Sequence, residues 1–115
     1  MTVRIYHNPN CSKSRATLNL LRERGIEPVI IEYLKTPPNV AELEDILAGL
    51  GFGPRELMRR NEAEYRDNGL DNEALTREEL IRALVRHPRL IERPIVVNDG
   101  KVAIGRPPEA VLEIL

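Results

Sequence analysis

The sequence predicts an α/β fold, a four-stranded mixed sheet in one domain spanning residues 1–115, with a helical insertion at about residues 38–88. Three observations carry that prediction. The first third reads strand, helix, strand. The middle repeats apolar residues at helical spacing. The last third returns to two β-rich runs around a single tight-turn dipeptide.

Val3-Arg4-Ile5-Tyr6 alternates and is β-rich, and the turn-forming run His7-Asn8-Pro9-Asn10 stops it. A helix should follow, with Asn10 or Ser12 as N-cap, an apolar stripe of Ala16, Leu20 and Leu21, and Gly25 as terminator. Arg22 and Arg24 suit its C-terminal end. Val29-Ile30-Ile31 reads as a buried strand, so the first third forms a β-α-β unit with parallel strands. Further on, Val40, Leu43, Leu47 and Leu50 share one helical face, and Pro54 suits a helix's first turn before Leu57 and Met58. Thr76-Arg77-Glu78-Glu79 fits a capping box ahead of Leu80, Ile81, Leu84 and Val85, and His87-Pro88 closes that segment. Ile95-Val96-Val97 and Val102-Ala103-Ile104 flank Asp99-Gly100, which favours a hairpin, and a short amphipathic helix is expected from Pro107 to Leu115. The order β-α-β, helical stretch, β-β-α is the thioredoxin arrangement with an insertion.

Composition narrows the function. With 17 basic and 18 acidic residues spread along the chain, no broad footprint for nucleic acid or an anionic membrane exists, so any anion site must be local. Neither a secretion signal nor a bilayer-spanning apolar run is expected, and a lone cysteine cannot form an internal disulfide; the expected location is cytoplasmic. One cysteine and two distant histidines give no metal-ligand spacing.

That cysteine, Cys11, falls just after a strand and at the first turn of a helix. Unpaired backbone N–H groups and the positive end of the helix dipole favour thiolate over thiol there, and Lys13 and Arg15 add positive charge. An isolated intracellular cysteine is more commonly a small core residue, but a polar turn precedes this one. His7, four residues earlier, could orient or polarise the thiol through a hydrogen bond, or could serve only as a structural histidine.

The run Tyr6-His7-Asn8-Pro9-Asn10-Cys11-Ser12-Lys13-Ser14-Arg15 resembles the active-site segment of the glutaredoxin-coupled arsenate reductases, a thioredoxin-like family. The resemblance continues through Tyr33-Leu34-Lys35-Thr36-Pro37-Pro38, Leu57-Met58-Arg59-Arg60-Asn61, Glu92-Arg93-Pro94-Ile95-Val96-Val97 and Gly105-Arg106-Pro107-Pro108-Glu109, in the family's order. It is nearest the family's short, arsenate-reductase-like branch. The resemblance implies that Cys11 is the nucleophile, that Arg59, Arg93 and Arg106 bind the oxyanion, that His7 is the histidine preceding the nucleophile, and that Pro94 is cis. Planar guanidinium forks suit a tetrahedral oxyanion such as arsenate, although any one arginine taken alone is by default a solvated surface group.

By this resemblance no cofactor is bound, glutathione is the co-substrate and glutaredoxin is the protein partner. Ser14 stands where related regulators carry a second cysteine, so turnover would need an external thiol. Two other readings stay open: a glutathione-dependent thiol oxidoreductase acting on something other than arsenate, and an RNA polymerase-binding regulator of the same fold.

Overall fold

The computed structural model describes residues 2–115. Its strands are β1 (Val3–His7), β2 (Val29–Glu32), β3 (Ile95–Asn98) and β4 (Lys101–Ile104), and its α-helices are α1 (Ser12–Glu23), α2 (Val40–Leu50), α3 (Ala63–Asp67) and α4 (Arg77–Arg86). Short 3-10 turns cover Pro54–Leu57, Pro88–Leu90 and Pro108–Ile114. The chain divides into two compact units: residues up to Thr36 together with Arg93–Leu115, and Pro37–Glu92.

The first unit holds the whole sheet, in strand order β2-β1-β3-β4. β1 runs parallel to β2, pairing Ile5 with Ile30, and antiparallel to β3, pairing Ile5 with Val96; β3 and β4 are antiparallel. This is the thioredoxin-like mixed sheet. Val3 and Ile5 point to the same face of β1 and pack with Val96, Leu18, Leu21 and Val111, so α1 and the last 3-10 turn cover one face of the sheet. Asp99 and Gly100 both have positive φ, 51° and 83°, the geometry of a tight two-residue hairpin whose twist matches its strands.

Four local expectations are corrected. β2 is an edge strand, not a buried one: Val29 is 51% and Ile30 39% exposed, because β1 pairs it on one side only. The buried face of α1 is Ser14, Thr17, Leu18 and Leu21, while Ala16 is exposed and Leu20 only half-buried. The N-cap of α1 is Cys11 itself, in extended conformation, not Asn10 or Ser12. The C-terminal segment winds as a 3-10 helix: Pro107 and Pro108 supply no N–H, and Ala110 N–H bonds Pro107 O at 3.0 Å, three residues back.

In the second unit α4 packs against α2 and against the turns at Pro54 and Pro88. Thr76 caps α4 by accepting from Glu79 N–H at 3.2 Å, but the Glu79 carboxylate takes the Thr76 hydroxyl, so the anticipated reciprocal bond to the backbone is replaced. The full capping box lies elsewhere. Asn39 Oδ1 accepts from Glu42 N–H at 2.8 Å while Glu42 accepts from Asn39 N–H at 3.2 Å, and Gly51 closes α2 with φ 70°. Asn39→Ala should therefore lower stability by about 1 kcal/mol, read as a lower urea midpoint at unchanged slope.

Candidate active site

The site is built where β1 ends and α1 begins. Between them the chain folds back on the first turn of the helix. Cys11 N–H bonds Asn8 O at 3.0 Å, Asn10 N–H bonds Asn8 Oδ1 at 3.0 Å, and the Arg15 guanidinium bonds Pro9 O at 2.8 Å. These bonds satisfy the loop's backbone groups and leave the half-buried Cys11 at the open end of the helix.

Burial is the largest influence on the thiol and pushes its pKa up, because a thiolate loses hydration. It is outweighed. The Ser14 N–H, the Arg93 guanidinium, the Lys13 N–H and a hydrogen bond from the Arg106 side chain together bring the pKa below the ordinary thiol value. Lys13 and Ser14 are the second and third residues of α1, whose N–H groups have no partner inside the helix. The neutral thiol makes no conventional cap bond, so these donors act on the anion.

Arg93 and Arg106 reach the sulfur from the strands beside it. Arg93 precedes β3, joined to it through a cis peptide bond to Pro94; Arg106 follows β4, and its Nη1 donates to Arg93 O at 3.1 Å. Gly105 N–H continues the β3–β4 ladder to Pro94 O at 3.0 Å. The Arg106 guanidinium is thus tied to the backbone of Arg93 as well as to the thiol.

His7 does not make its hydrogen bond to Cys11. Its Nδ1 lies 2.6 Å from Ser14 Oγ, and that same oxygen accepts from Asn8 N–H at 3.0 Å. Burial lowers the His7 pKa; Glu32 opposes, and Arg22 and Arg15 add to the lowering. The His7 ring and the Ser14 hydroxyl share one hydrogen bond, whose direction follows from which ring nitrogen carries the proton. His7 therefore fixes the side chain of Ser14, the residue whose N–H faces the sulfur.

Arg59 lies in the second unit. Its Nη1 pairs with Glu62 at 2.8 Å, and its backbone N–H bonds Leu90 O at 2.7 Å beside an isolated antiparallel bridge between Met58 and Ile91. The neighbouring Arg60 is more exposed, with Nη2 at 3.5 Å from Arg55 O. Ser14, Thr17 and Gly105 are the site-forming residues that sequence patterning missed; the spacing of Ser14 and Thr17 with Leu18 and Leu21 on one helical face was their only signal. Among the described residues no group of three His, Cys, Asp or Glu side chains is arranged to hold a metal ion, and no helix is long and apolar enough to cross a membrane.

A thioredoxin-like sheet thus carries the Cys11 thiol close to two arginines. The chain belongs to the ArsC family, whose family model matches residues 6–114. It is 56% identical to the uncharacterized protein YfgD of Escherichia coli K12 over 98% of this chain and 96% of that one. It is 52% identical to an arsenate reductase of Haemophilus influenzae over the full length of both. A solved structure of an arsenate reductase from Vibrio cholerae, 51% identical, matches 100% of this chain and 98% of its own with a TM-score of 0.97.

Two outcomes follow from the site's electrostatics. Alkylation by iodoacetamide needs the thiolate, so its rate is lost as pH falls through the Cys11 pKa; the midpoint should lie below that of a free thiol and move upward in Arg93→Ala. For His7, the lowered pKa means the unfolded chain binds more protons in acid. Stability should fall as pH drops below about 6.5, and a series of urea titrations should show a flatter pH dependence for His7→Gln.

Proposed function

We propose that this protein reduces arsenate to arsenite through Cys11. The observation that carries the reading is the Cys11 thiolate held by the Arg93 and Arg106 guanidinium groups, a nucleophile and an oxyanion anchor in one place. The arginines neutralise the oxyanion while the sulfur attacks arsenic; an S–As bond forms, and one arsenate oxygen leaves as hydroxide and is protonated to water. Glutathione then brings a second thiolate to the adduct. Two electrons pass from the two sulfurs to arsenic, which leaves as arsenite, and Cys11 is left in a mixed disulfide with glutathione.

With one cysteine in the chain, the disulfide must be opened by another protein thiol, the role of glutaredoxin. Such a relay belongs in a reducing compartment, the cytoplasm. The family resemblance that assigns Arg93 and Arg106 to the oxyanion assigns Arg59 as well, and names of relatives such as the Haemophilus influenzae arsenate reductase support the substrate. The bound-cofactor requirement is none.

A coupled assay with arsenate, glutathione, glutaredoxin and NADPH tests the proposal. Arsenate-dependent NADPH consumption is expected for the wild type, none for Cys11→Ser, and a loss of about 100-fold or more in kcat/KM for Arg93→Ala, the scale of one lost charge-assisted contact pair. Arg59→Ala should raise the KM for arsenate. A wild type that consumes NADPH with glutathione-linked disulfides but not with arsenate would identify a thiol oxidoreductase of another substrate.

A further inference from the structure

Gly105 is buried, and its φ lies outside the left-handed region, so its backbone conformation does not demand glycine. Space does. A Cβ built there would lie 2.8 Å from Pro94 Cγ, 3.1 Å from Thr17 Cγ2 and closer still to Thr17 Oγ1. Real side chains do not approach so near, and neither neighbour is the free end of a flexible chain. Pro94 is a ring, and Thr17, fully buried, has its hydroxyl donating to Lys13 O at 2.8 Å.

These contacts close a circuit around the thiol. Lys13 N–H faces the Cys11 sulfur, and Lys13 O holds the Thr17 hydroxyl. Thr17 abuts Gly105, and the next residue, Arg106, hydrogen-bonds the sulfur and donates to Arg93 O. Gly105 N–H also bonds Pro94 O, next to Arg93. The separation between the first turn of α1 and both guanidinium groups is thus set by a contact with no room for one methyl group.

We propose that Gly105 and Thr17 form a steric gauge that sets how near Arg93 and Arg106 come to Cys11. They are positioning residues, acting through the arginines and touching no substrate. The inference deepens the reading of Cys11 as an oxyanion-linked nucleophile and rests on it, but its readout is the titration of the thiol and needs no arsenate.

The experiment measures the pH dependence of Cys11 alkylation by iodoacetamide in Gly105→Ala, in Thr17→Ala and in the double variant, with folding followed by circular dichroism. Added bulk at position 105 should push the arginines outward and raise the Cys11 pKa by about one unit, a roughly tenfold fall in alkylation rate at pH 6. Thr17→Ala removes both clashing Thr atoms and leaves the approach to Pro94 Cγ, so the double variant should recover part of the low pKa. Val3→Ala, a core truncation at the opposite end of β1, should lose stability and leave the titration unchanged. Where Gly105→Ala alone fails to fold, the double variant, relieved of the Thr17 clash, should fold and titrate closer to wild type than to a free thiol. A folded Gly105→Ala protein with wild-type titration overturns the inference. So does a double variant that gains nothing over the single one in folding or in pKa. Loss of arsenate turnover in the wild type, by contrast, would refute the proposed substrate and leave this result standing.

Discussion

Burial alone would keep the proton on Cys11, because a half-sunk thiolate gives up hydration, and the surroundings of that sulfur supply what water no longer does. The compensation comes from separated parts of the chain: two backbone N–H groups from the start of α1, one guanidinium from before β3 and another from after β4. None of these could act without the sheet order. β1 lies between β2 and β3, so the turn after β1 opens beside the approach to β3, and the hairpin returns β4 to the same end. The topology brings local donors and distant cations to one atom.

The outline of this arrangement is visible in the chain. Alternation at residues 3–6, the Asp99-Gly100 turn between two β-branched runs, and a cysteine at a strand-to-helix junction each have a local physical cause, and each has its counterpart in the structure. What local pattern could not carry is pairing order and close approach. Val29, Ile30 and Ile31 have strand propensity whether they lie in the middle or at the edge, and only the partner on one side makes them half-solvated.

The site itself was legible to different depths. Cys11 could be read from its own neighbours, whereas Arg93 and Arg106 stood out by resemblance and by bracketing the hairpin. Ser14 and Thr17 are polar, and hydropathy counts a hydroxyl without asking what it bonds; in the fold both are fully buried. His7 could be paired with Cys11 from sequence spacing, but its bond goes to Ser14, whose hydroxyl lies 2.6 Å from the ring. Gly105 carried no local signal at all, since its requirement arises from two residues distant in sequence.

The polar inner face of α1 also constrains what evolution or an engineer can do with this protein. Larger apolar residues at positions 14 and 17, the ordinary route to a more heat-resistant helix, would overpack, since both side chains are fully buried and Thr17 abuts Gly105. The Ser14 hydroxyl ties the helix to His7, and the Thr17 hydroxyl bonds Lys13 O within the helix. Stabilising changes therefore belong at the far end of the helix or in the second unit.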